Sequence, residues 1–176
     1  KDITTKLKNI SYLKKLKSNK NYIIIVNKNL INNKYIEEVL IHELYHYLDE
    51  LLGDISNKID SYNFIDANLS NNEYLVNKIF LLYNFKANDI SEKNLLIPTY
   101  ISNDSNYLSS NKELFVRWKT FKTKLILLNY INDINSEVNI ATIKEYININ
   151  GANMYDIELL LTIDLNKIEK LDKITN

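Results

Sequence analysis

The only two histidines of this 176-residue chain stand four positions apart, in His42-Glu43-Leu44-Tyr45-His46. On a helix that spacing projects both imidazoles from one face, where their nitrogens can share a single ion. Zinc suits the pair. It accepts neutral imidazole nitrogen at about 2.0–2.1 Å, and its catalytic sites combine three protein ligands with one water. The ion lowers the pKa of that water and polarises a carbonyl, while Glu43, next to His42, takes the proton and passes it to the leaving amine. The chemistry this predicts is hydrolysis of a peptide bond, with His42 and His46 as ligands and Glu43 as general base.

A third protein ligand has to be a carboxylate, because the chain has no further histidine and no cysteine. Asp66, Glu73 and Glu113 are the candidates, and spacing alone does not choose between them. Glu113 is favoured because it opens the apolar-periodic stretch Leu114, Phe115, Trp118, Phe121, Leu125 and Leu128, and a helix fixed by packing is a good platform for a ligand. Asp49 lies seven residues after His42 and three after His46, on the same stripe. There it can accept the second ring N–H of a ligand histidine, the alternative being an exposed acid near a helix C-terminus. Arg117 is the only arginine. One turn after Glu113, its fork can bind a carboxylate of the site or of a substrate, the alternative being an ordinary surface ion pair.

These residues need helices to position them. With two glycines and one proline in the whole chain, folds that consume many turn residues are disfavoured, and helices joined by Asn/Asp/Ser loops are expected. The metal helix is predicted from about residue 34 to 52, capped by Asn33, with Glu37 and Glu38 at the positive end of its dipole and Gly53 just past its end. Helical periodicity also marks residues 3 to 18, 72 to 86, 111 to 129, 137 to 148 and 154 to 174. The β-branched run at 21 to 27 is the clearest strand. Residues 132 to 137 are the best candidate boundary, separating a core of 1–131 from a small C-terminal helical extension, 132–176. The apolar residues of that extension, Leu159 to Leu161, Leu165, Ile168 and Leu171, are expected to be core.

The segment from His42 to Asp49 reads HExxHxxD, and in this the chain resembles the zincin superfamily, within it the lethal-factor-type and Pro-Pro endopeptidase branch. The stretch Tyr107-Leu108-Ser109-Ser110-Asn111-Lys112-Glu113-Leu114-Phe115 is similar to that branch's ligand helix, in which a tyrosine precedes the ligand glutamate. The resemblance implies that Glu113 is the third ligand and that Tyr107 helps hold the oxyanion. Two departures stand out: the Tyr-to-Glu spacing is one residue short, and Arg117 replaces the acid expected four residues after the glutamate. A similarity to phage-encoded zincin-like proteins rests on the same Tyr-Leu-Ser, Glu and Arg order. What both imply is an α+β fold, a mostly helical zincin-like domain with a small β-sheet against which the metal helix packs.

Charge argues about partners. Twenty-two basic residues balance 22 acidic ones, so the field that draws nucleic acid or anionic membranes is missing. The apolar runs fall far short of the roughly 20 residues of a spanning helix, and the chain is expected to be soluble. Absence of cysteine leaves the compartment open, secreted and virion-associated included. The chain begins with Lys1, which is read as a trimmed or processed piece. The partner expected is a peptide or protein substrate. The competing expectation is a non-enzymatic zincin-fold assembly component, for example of a virion, with protein partners and with or without zinc.

Overall fold

A computed structural model of the chain describes residues 12–15, 22–25, 36–83 and 105–176. The chain divides into two compact units, residues 1–55 and 56–176, and each is described by itself. In the first unit, strands β1 (Tyr12–Lys15) and β2 (Tyr22–Ile25) pair antiparallel, with Tyr12 opposite Ile25 and Lys15 opposite Tyr22. Helix α1 (Ile36–Leu51) packs on both strands.

The fold class is corrected by this architecture. The protein is mostly helical, and not α+β. Strand pairing among the described residues amounts to one hairpin of two four-residue strands and an isolated bridge between Ile65 and Ile163. The physical reason lies in the residues themselves. Only one long β-branched run exists, whereas apolar residues recur every three or four positions through the second half of the chain, and such a pattern buries its apolar stripe only as helix. The residue pattern asked for one strand, at 21 to 27, and the resemblance extended it to a small sheet. A second correction falls on the helix predicted for residues 3 to 18: Tyr12–Lys15 is a strand, because a partner strand overrides a moderate helical period. The rest of that stretch, and the Asn33 cap, lie outside the described residues.

The described α-helices of the second unit are α2 (Asn72–Tyr83), a single turn α3 (Ser105–Leu108), α4 (Asn111–Leu127), α5 (Ile140–Asn150), α6 (Met154–Thr162) and α7 (Ile168–Thr175). Side-chain caps begin three of them. Ser110, Asn139 and Asn153 accept the backbone N–H groups of Glu113, Thr142 and Asp156, each satisfying a donor with no partner inside its helix. The single helix predicted for 154 to 174 is broken instead after Thr162. Ile163 turns extended to pair with Ile65, the N–H of Asp66 bonding Thr162 and that of Asp164 bonding Phe64. No helix among the described residues is long and apolar enough to cross a membrane.

Trp118, Phe121 and Leu125 of α4 are buried, and so are Leu159 to Leu161, Ile168 and Leu171, as expected, whereas Leu165 is only partly buried. Charged groups are enclosed there as well. Asp172, 1 % exposed, accepts from Lys122 Nζ at 2.6 Å and from Trp118 Nε1 at 3.2 Å through Oδ1, and from the Val138 N–H at 3.0 Å through Oδ2. Asp172→Ala leaves an ammonium short of its counter-ion and two N–H groups without acceptors. It is expected to cost about 3–5 kcal/mol, the usual penalty for breaking a buried pair. Urea unfolding checks this, with Glu137→Ala as control: its pairing with Lys173 is 3.9 Å long and exposed, and its loss should leave the midpoint almost unmoved.

Candidate metal centre

Helix α1 is built to hold its histidines in fixed register. Glu37 and Glu38 occupy its first turn, where negative charge complements the positive end of the helix dipole. At the other end Asp54 N–H bonds the Asp49 carbonyl at 2.7 Å and Gly53 N–H bonds that of Glu50 at 3.3 Å, the paired bonds of a Schellman stop. Gly53 has φ +88, a conformation any side chain would strain, so the glycine is required by its backbone. Between these ends His42 and His46 lie one turn apart. Their Nε2 atoms are 3.1 Å apart, and the rings meet edge to face, with centroids 4.8 Å apart.

That separation tests the fit to a metal. Two imidazole nitrogens bound at 2.0–2.1 Å to one tetrahedral ion stand about 3.3 Å apart. The observed pair needs almost no adjustment. The same distance suits an N–H···N hydrogen bond between the rings, the donor being set by the tautomer; adding metal replaces one arrangement by the other. Glu43, buried, follows His42 directly. Asp49 is fully buried, which removes the reading of it as an exposed acid and makes a polar partner obligatory. Helix α1 thus brings together His42, Glu43, His46 and Asp49.

The three candidate carboxylates separate clearly within the second unit. Glu73 is exposed. Asp66 is committed: its carboxylate accepts from Lys78 Nζ at 2.7 Å, Tyr74 Oη at 2.9 Å and the Asn68 N–H at 3.0 Å. Burial alone raises the Asp66 carboxyl, but these donors outweigh it and hold the group below the usual carboxylate range. Lys78 also donates to the carbonyls of Leu161 and Ile163, so this network pins the break after α6. Glu113, in the first turn of α4, is buried.

Helix α4 also brings Arg117 to Glu113, with Nε donating to Glu113 Oε2 at 3.3 Å. Its Nη1 donates to Glu158 Oε2 on α6 at the shorter distance of 2.7 Å. Burial works against the charge of Arg117, but the hydrogen bond and charge of Glu158, followed by Glu113 and Tyr107, hold the guanidinium more firmly protonated. The surface-pair reading of Arg117 is therefore corrected: it is an enclosed bridge between two carboxylates. Tyr107, at the end of α3, is 54 % exposed. Glu158 was not singled out from the sequence, although a signal existed. An acid set between Ile157 and Leu159-Leu160-Leu161 must either break the apolar stripe or meet a buried cation.

Comparison of the chain with protein-family models, with curated proteins and with solved structures finds no match.

Proposed function

We propose that the chain is a metal-dependent peptide hydrolase, with His42, His46 and Glu113 as ligands and Glu43 as general base. One observation carries this: the Nε2 atoms of His42 and His46 are already spaced as two ligands of one ion, on a helix in which the buried Glu43 directly follows His42. The set His42, His46 and Glu113 supports a metal without singling out zinc. Zinc is the ion we propose because two imidazoles and a carboxylate match the ligand sets of zinc hydrolases. When bound, the metal supplies an acidified water and a polarised carbonyl. Glu43 accepts the proton of that water and returns it to the departing nitrogen. Asp49 is proposed to orient a ligand imidazole, and Tyr107, with its phenol exposed, to meet the oxyanion of the substrate.

Elemental analysis of the purified, zinc-reconstituted chain tests the reading, about one zinc per chain being expected. A chain that retains none ends it. The ligand assignment has its own measurement, zinc titration against a competing chelator. Glu113→Ala should lower affinity most among the carboxylate variants, Asp49→Ala by about 10–100-fold as for a lost supporting partner, and Glu73→Ala almost not at all. A result in which Glu73→Ala is the most damaged moves the third ligand.

A further inference from the structure

Arg117 poses a problem for a neighbouring ligand. A guanidinium binds carboxylates in a fork and carries a full positive charge that opposes a divalent cation. Left alone with Glu113, it would compete with any metal for that carboxylate. Glu158 changes the balance. Its bond to Arg117 is 2.7 Å, against 3.3 Å for the bond from Arg117 to Glu113, and all three side chains are largely screened from water, where Coulomb terms are strongest. Glu158 is itself buried, in a stretch of α6 where Leu159, Leu160 and Leu161 are buried too.

We infer that Glu158 is a positioning residue of the metal centre: by engaging Arg117 with the shorter bond and cancelling its charge, it keeps Glu113 available to a cation. Glu113 is oriented by one N–H of the guanidinium without being captured by its fork. This rests on the metal reading above and adds to it a residue outside the ligand set. Its consequence runs against the simple expectation for a distant acid. Glu158 is required for zinc affinity only because Arg117 is present.

The experiment is a double-mutant cycle on zinc affinity, read by chelator competition and by the visible absorption of the cobalt(II)-loaded protein. Glu158→Gln is expected to weaken zinc binding about 10–100-fold, the usual scale for loss of a supporting partner, and to shift the cobalt spectrum toward that of Glu113→Ala. A merely structural role would not produce that shift. In an Arg117→Met background, with no guanidinium to re-pair, Glu158→Gln should change affinity less than about twofold. Arg117→Lys gives an independent arm, since a point charge cannot span both carboxylates; it should weaken binding about tenfold and serves if Glu158→Gln does not fold. Equal losses from Glu158→Gln in both backgrounds, or unchanged affinity in Glu158→Gln or Arg117→Lys, overturn the inference while leaving the metal reading in place. Absence of zinc from the unsubstituted chain overturns both.

Discussion

His46→Ala is expected to abolish stoichiometric zinc binding while leaving the helical content of the chain almost unchanged. Imidazole nitrogen is the strongest donor the chain offers to zinc, and only two imidazoles exist, so nothing can take the place of the one removed. The substitution also spares the fold, because His46 is only partly buried and Ala is the best helix former at a mid-helix position. Elemental analysis and circular dichroism on the same sample therefore diverge: zinc falls toward zero and helicity stays. Zinc content equal to that of the unsubstituted chain would place the metal elsewhere and remove the support for Glu43 as base. Chelation of the unsubstituted chain should mimic the variant.

The parts of this molecule that were legible in the sequence are those set by neighbours along the chain. The histidine spacing needs only the helical period, and the end of α1 needs only Gly53, whose positive φ and following turn are local. The cores of α2, α4, α5 and α6 follow from apolar periodicity for the same reason. What stayed hidden depends on partners outside the segment itself. Strand β1 reads as helix until β2 is present to pair with it. The break after Thr162 is imposed by Ile65 and by Lys78, whose ammonium caps the carbonyls of Leu161 and Ile163. Lysines illustrate the limit best. In a chain this rich in lysine each reads as solvent-facing, yet Lys122 is fully buried against Asp172, and no local pattern marks it.

The site divides along the same line. His42, Glu43, His46 and Asp49 sit within eight residues of one helix, so the set proposed here can be read from local sequence. Glu113 needed a choice among carboxylates. Among its rivals, Asp66 accepts from Tyr74, Lys78 and the Asn68 N–H, and Glu73 is exposed, neither of which a local pattern shows. Glu158 lies 45 residues further along the chain than Glu113, and only the packing of α6 on α4 brings it to Arg117.

Glu43→Gln is expected to keep the zinc, the fold and the affinity for a peptide, and to lose hydrolysis by about 10²–10⁴-fold, the usual contribution of a positioned acid–base group. The amide is nearly isosteric with the carboxylate, so packing at this buried position is preserved. It cannot take up a proton at neutral pH. The loss should fall on kcat more than on KM, because proton transfer occurs in the reaction step and not in binding. Separating the two quantities is the value of this variant: zinc content reads the ligands and turnover reads the base. Equal turnover in Glu43→Gln and the unsubstituted chain, on a peptide that the latter cleaves, would dismiss Glu43 from the role. A fully zinc-loaded unsubstituted chain that cleaves nothing in a broad peptide library would shift the balance to the assembly component, in which a metal on α1 serves to hold the protein and not to turn over substrate.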